Sequence, residues 1–360
     1  MRTVSTEQLW ERLAAAGLVS GKIAPPTGQH SPWFVRAMLG FAGWIGALFL
    51  LGFVAASLQF VIRSDGVSVI IGAAVCAAAA FLFRASRGKD FAVQFGLAMS
   101  FAGQALFISG LMGLFKWESG FSYVAVAVFE TALVAVVVNS IHRVVSSFAA
   151  AVSLSLALSS YGLQQSAPAL ITLGIAVVWL DELRWAAQGS LVRPVGYGLV
   201  LAAAFVNGAL LTHGLMWLDI ARGTRVFVTP LYWAGMILNS TVFIYAVLRL
   251  LLREGLGLDG RLARVAVIAA LVIALSSFKA PGVITGLIIV LLGFANGNRV
   301  LTALGMMALL AYLSHYYYQL QATLLVKSVS LGATGIVLLA ARFALFKLWP
   351  EKEPGGGHHA

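Results

Sequence analysis

Apolar residues run in long blocks along nearly the whole chain, broken by single basic residues, glycines and short polar turns. A block of about 18 or more apolar residues calls for hydrocarbon around it, because roughly 20 helical residues cross a 30 Å bilayer core. Read in order, the blocks predict about twelve membrane segments, at roughly 37–62, 66–83, 91–115, 121–141, 144–163, 167–184, 194–218, 228–251, 263–278, 281–297, 300–320 and 323–348. The two around Phe278-Lys-Ala-Pro281 are short. They fit either a tilted hairpin or a pair of re-entrant half-helices, and both choices leave the parity unchanged. The expected fold class is all-α, a polytopic transmembrane helical bundle.

Ahead of the blocks, the pattern changes to an amphipathic one. Ser5-Thr-Glu-Gln8 fits a capping box, Val4 and Leu9 sit at staple positions, and Gly17 is a natural stop. Leu9, Trp10, Leu13 and Ala16 share one face, opposite Glu7, Glu11 and Arg12. Such a helix lies on the membrane surface or docks on the protein's own loops. Ala24-Pro-Pro-Thr-Gly28 reads as a linker. Three regions follow: residues 1–30 as cytoplasmic helix and linker, 31–348 as the transmembrane domain, and 349–360 as a disordered cytoplasmic tail.

Charge orients the segments. Of the 24 Lys and Arg residues, 18 fall with the N-terminus and the even-numbered gaps, among them Arg84, Arg143, Arg193, Arg249 and Arg253. Only Arg63, Lys116, Arg222, Arg225 and Lys279 fall on the other side, and Lys327 lies within a segment. Basic loops stay cytoplasmic, so both termini are expected there. The net charge of +11 does not imply nucleic acid, because the basic residues sit singly and form no dense stripe. With 60% apolar and 10% charged residues and a mean hydropathy of +0.93, the chain departs far from the soluble class. The first 30 residues hold no apolar core of signal-peptide length, so no cleavable signal is expected. Cys76 is alone, which excludes a disulfide framework and a cysteine metal site.

Ionisable groups inside the segments are the informative ones, since a charge at mid-bilayer costs about 2.5–3.5 kcal/mol on insertion scales. Glu130 falls mid-segment, and Lys327 lies a little over one turn into the last segment, toward the outer leaflet. They fit a structural ion pair, a snorkelling lysine, or a proton- or substrate-handling role. His315 with Tyr316, Tyr317 and Tyr318 ends one segment at the same level, and His213 ends another. The tyrosines suit an aromatic belt, though three in a row cover most of a helix and turn at least one toward protein. Neither histidine has an i, i+4 partner or a nearby carboxylate, so no metal is expected. Gln94, Gln104, Asn139, Asn207 and Asn239 are candidate buried amides that tie helices together. Small residues one turn apart, Gly43 with Ala47 and Gly96 with Ser100, suggest close helix packing. Asp181 and Glu182 read as a solvated helix end. Gly255-Leu-Gly-Leu-Asp-Gly260 matches a dinucleotide fingerprint in letters, but follows a membrane segment and no strand, so no cofactor is expected.

Two further patterns bear on ancestry. Ala105-Leu-Phe-Ile-Ser-Gly-Leu-Met112 echoes Ala209-Leu-Leu-Thr-His-Gly-Leu-Met216, which either an old duplication or the narrow alphabet would produce. Tyr316-Tyr-Tyr-Gln-Leu-Gln-Ala-Thr-Leu-Leu-Val-Lys-Ser328, followed by Gly335-Ile-Val-Leu-Leu-Ala-Ala-Arg342, resembles the terminal signature of the DUF4401 family. Gly103-Gln-Ala-Leu-Phe-Ile-Ser-Gly110 and the opening Gln8-Leu-Trp-Glu-Arg-Leu-Ala-Ala-Ala-Gly17 are similar to that family and its relative DUF2157. The resemblance implies a multi-pass protein of the bacterial inner membrane, with Lys327 as part of the signature. It also implies a partner, a membrane-anchored protein with a GDYxxLxY-type motif, and it carries over no catalytic residue.

Taken together, the chain is expected to be an integral inner-membrane subunit or scaffold, surrounded by lipid and associated with a membrane-anchored extracytoplasmic partner. The alternative is a secondary transporter or channel for a small solute, with Glu130, Lys327 and His315 on the pathway. An intramembrane enzyme has least support, since Glu130 with His315 is the one acid–base pair on offer.

Overall fold

The computed structural model describes residues 6–17, 64–85, 90–115, 119–182, 184–211, 229–255, 260–277 and 281–319, together with single positions within 34–52, 257 and 325–343. The described elements are all helical: α1 (Thr6–Ala15), α2 (Asp65–Ala85), α3 (Asp90–Phe115), α4 (Gly120–Val136), α5 (Ser140–Ser160), α6 (Ser166–Leu180), α7 (Gly189–Leu211), α8 (Thr229–Arg253), α9 (Arg261–Ser276), α10 (Pro281–Ala295) and α11 (Arg299–Gln319). A 3-10 turn, Ala186–Gln188, leads into α7. Among the described residues, six helices are long and apolar enough to cross a membrane: α2, α3, α5, α7, α8 and α11. Four shorter apolar helices, α4, α6, α9 and α10, have 17, 15, 16 and 15 residues. The predicted pair 263–278 and 281–297 thus consists of two short helices.

The chain divides into two units, residues 1–107 and 108–360. In the first, α1 stops where expected. Gly17 takes φ +67°, and its N–H donates to Ala14 O at 3.0 Å, the left-handed turn that closes a helix. Small residues bring α2 and α3 together: a Cβ on Gly72 would meet the backbone of Phe107 and Gly103, and Cys76 Sγ donates to Ser100 O at 3.6 Å. Gly43 lies against Gln94 and Phe91 in the same way, and Trp44 donates to Gln94 Oε1 at 3.2 Å. Of the small residues expected to pack closely, Gly43 does so here, while Ala47 lies outside the described residues.

The second unit, residues 108–360, carries α4 to α11. Hairpins α4–α5 and α10–α11 pack tightly, α5 lies on α7, and α6 is enclosed by α7, α8 and α10. Its core centres on Ile175, Trp179, Phe243, Ile288, Ile289, Leu292 and Leu301, all essentially inaccessible. Outward positions are equally apolar, including Val272, Leu275, Phe294 and Leu310. Water does not tolerate so much exposed hydrocarbon on a monomer, and lipid does. Hydroxyls within the spans turn back on their own helices: Thr131 to Ala127 O, Ser147 to Arg143 O, Ser155 to Ala151 O, Thr172 to Pro168 O and Thr241 to Ile237 O, at 2.6–2.8 Å.

Candidate functional site

The most unusual chemistry lies in the α4–α5 hairpin. Three consecutive valines, Val136 to Val138, resist the helical χ1 restriction, and α4 ends there with Val137 extended at φ −88°, ψ 120°. Asn139 then caps α5, its Oδ1 accepting from His142 N at 3.0 Å. Asn139 was expected to be an interhelical amide; it is an N-cap instead. The sequence segments ran through this turn because their apolar character does not change across it.

Arg143, expected in a cytoplasmic loop, is buried in the first turn of α5, with 7% of its surface exposed. Its guanidinium finds two carbonyls that their own helices leave vacant. Nε donates to Val134 O at 3.1 Å, where α4 has ended before residue 138 can supply an N–H. Nη1 donates to Ser190 O at 2.9 Å. Ser190 lies four residues before Pro194, which sits inside α7 and has no N–H to offer. One side chain thereby ties the end of α4 and the start of α7 to α5.

Glu130 lies on α4 six residues before that end, fully buried, and among the described residues no cation reaches either carboxyl oxygen. The side chain facing it is Ser146 on α5. Ser146 Oγ in turn lies 3.4 Å from His142 Nδ1, a long contact, and both residues are fully buried. His142 and Ser146 are four residues apart and so share one face of α5. Arg143 makes its bonds to carbonyls and forms no ion pair with Glu130. The arrangement is a line of three proton-carrying groups, carboxyl, hydroxyl and imidazole, inside apolar surroundings.

Beyond Ser190 lies a second polar region. A pocket of about 480 Å³ is lined by Glu182, Trp185, Ser190, Arg193, Arg253 and Asn296, among others. Here each carboxylate is paired: Glu182 with Arg193 Nε at 2.7 Å, and Asp181 with Arg249 at 3.3 Å and Arg184 at 3.7 Å. Asn296 donates to Trp179 O at 2.7 Å and accepts from Arg253 at 2.8 Å. Tyr197 and Asn298 exchange contacts at 2.9–3.2 Å. The helix end at Asp181 and Glu182 is thus an ion-paired cluster.

The remaining candidates are dispersed. Gln104 is buried on α3, in the first unit. His315, Tyr316 and Tyr317 are half-buried near the end of α11, and Tyr318 is exposed, its ring 5.7 Å from that of Tyr317. Lys327 and His213 lie outside the described residues, as does part of the Ala209–Met216 echo. Glu130 and His315 ride on helices with different main neighbours: α4 packs on α5, and α11 packs on α10. Tyr312, which the sequence did not single out, is the buried tyrosine of α11, its hydroxyl donating toward Ala203 O and Ala204 O at 3.4 and 3.2 Å. Asn207 and Asn239 are buried as expected. His142 and Ser146 were missed, although their i, i+4 spacing beside Arg143 and Ser147 is a polar stripe visible in the sequence. Among the described residues, no group of three His, Cys, Asp or Glu side chains is placed to hold a metal.

The family described as Domain of unknown function (DUF4401) matches residues 32–348. The chain belongs to the DUF4401 family. The expected membership, read from the last two segments, from Gly103–Gly110 and from Gln8–Gly17, holds over most of the length, hairpin and rim cluster included, with Gln8–Gly17 ahead of the matched range. No curated protein and no solved structure matches the chain.

Proposed function

We propose that this DUF4401 protein is a membrane-embedded subunit of the bacterial inner membrane, with about twelve spans and both termini cytoplasmic, that holds a membrane-anchored extracytoplasmic partner. The observation that carries this reading is the inward turn of the span hydroxyls. Thr131, Ser147, Ser155 and Thr241 spend their donors on carbonyls of their own helices, and Thr172 is shared between Pro168 O and Thr285 Oγ1 of α10 at 3.0 Å. A solute path needs such groups directed into a shared lumen, whereas an assembly subunit needs shape and an apolar exterior. The asymmetry of basic residues supports the orientation. A reporter fused after His359 is expected to be active in the cytoplasm and silent in the periplasm.

Affinity purification from native membranes is the decisive experiment. The expected outcome is one anchored protein recovered in fixed ratio, with Lys327→Met lowering that recovery or the protein's own level. Purified protein that assembles with nothing, yet moves a solute in liposomes, would sink the proposal. One observation favours the second reading, transport of a small solute: the carboxyl of Glu130, buried with no cation on it among the described residues. In that reading Glu130 would act with its α5 neighbours, and His315 would stand apart from them.

A further inference from the structure

We propose that Glu130, Ser146 and His142 form a proton-binding relay, in which the Glu130 carboxylate is loaded through Ser146 from His142, at the end of the bundle that carries the polar pocket. The inference is independent of whether the protein holds a partner.

Three observations converge on it. Glu130 is fully buried with no cation from the described residues on either oxygen, although a carboxyl in this setting ordinarily recruits one. The group facing it, Ser146, can accept a proton and give one. The group next in line, His142, lies 3.4 Å beyond with its Nδ1 directed at Ser146 Oγ. Contacts of this length commonly tighten in the working state of a site. The other charged neighbours are already committed. From α5, Arg143 is bonded to Val134 O and Ser190 O. From α7, Arg193 is paired with Glu182, and Tyr197 is bonded to Asn298. On α4 itself, Tyr123 lies two turns away. No second carboxylate or fixed ion pair among these competes for Glu130.

A proton fits the site better than a metal ion. One carboxylate, one hydroxyl and one imidazole are too few for the six or more oxygens a hard cation collects, and too few for tetrahedral zinc. Arg143 marks the way out: it bonds Ser190 O, and Ser190 lines the polar pocket.

The transfer balances. Doubly protonated His142 gives its Nδ1 proton to Ser146 Oγ, which gives its own hydroxyl proton to the Glu130 carboxylate. Glu130 becomes a neutral acid, Ser146 is unchanged, and His142 is left neutral, keeping its Nε2 proton, with Nδ1 open to take up the next one. Release runs the same steps backward.

The test is difference infrared spectroscopy of the purified full-length protein during a pH titration, in H2O and in D2O. The expected result is a reversible carbonyl band of a protonated carboxylic acid that is lost in Glu130→Gln. Ser146→Ala and His142→Asn should retain the band but move its midpoint or slow its exchange with D2O. A wild-type spectrum matched by Glu130→Gln, or a band insensitive to pH while the protein stays folded, overturns the site. A midpoint and exchange rate unmoved in both Ser146→Ala and His142→Asn overturns the relay. Should Glu130→Gln fail to fold, Glu130→Asp serves instead: a displaced band supports the assignment and an undisplaced one overturns it.

Discussion

The carboxylates of the second unit divide into two settings. At the rim, Asp181 and Glu182 stand partly in solvent and each holds arginine, at 3.3–3.7 Å and 2.7 Å. Inside, Glu130 is sealed from solvent and holds none. Pairing is therefore found where it is worth least, since exposed ion pairs contribute roughly 0–1 kcal/mol. It is missing where an unpaired charge costs several kcal/mol. The contrast teaches that the rim charges serve solvation and orientation, whereas the interior one is kept for something other than stability. Arg143 sharpens the point. A buried cation lies in the helix facing Glu130, yet its donors go to backbone carbonyls.

The largest effect is expected at that arginine. Arg143→Met leaves Val134 O and Ser190 O without donors, and should lower stability by about 3 kcal/mol in a reversible detergent unfolding assay. If Ser190 O depends on Arg143 because Pro194 has no N–H, then Pro194→Ala should restore an internal helix bond and soften the Arg143→Met loss by about 1 kcal/mol in a double-mutant cycle. Strict additivity would show that the two are not linked.

The seat of the hairpin on α7 comes next. A Cβ at Gly198 would collide with Ser147 Oγ and Val144 O, so Gly198→Ala should cost about 2 kcal/mol, with a lowered melting temperature as the readout. At Gly208 nothing lies within 4 Å of a Cβ, and the same change there should be harmless.

Smaller shifts test the two carboxylate settings directly. Glu130→Gln removes a latent charge and keeps the shape, so at neutral pH it should raise stability by about 1 kcal/mol. A loss of several kcal/mol would mean that Glu130 is paired after all. Arg193→Gln at the rim should cost less than about 1 kcal/mol, and the difference should shrink as salt is raised.

The helical membrane class was legible because hydrocarbon demands long apolar runs, and Glu130 was legible because a lone carboxyl interrupts one. Element ends were less so. Segment 121–141 became α4, ending at Val136, since its boundary is set by β-branched χ1 limits and by the Asn139 cap, neither of which changes hydropathy. Arg143 was read as a loop charge because its two carbonyl partners come from α4 and α7, and no local pattern announces them. Pro194 did carry a clue, since a proline inside a helix frees a carbonyl that something must fill. His142 and Ser146 went unread because hydroxyls and histidines at helix starts are common, and only the facing helix gives theirs a meaning. Tyr312 hid in plain sight beside the louder Tyr316–Tyr318 cluster.

The short helices α9 and α10 have a consequence for the lipid around them. At 16 and 15 residues they rise about 24 and 22 Å, against a hydrocarbon thickness of about 30 Å. Were these two helices to span the bilayer, acyl chains bordering the bare flank of Val265, Ile268, Leu271, Val272 and Leu275 would compress or tilt to meet it. The protein would then travel with its own dimple, and any neighbour with an equally short flank would be drawn into that dimple without a single specific bond.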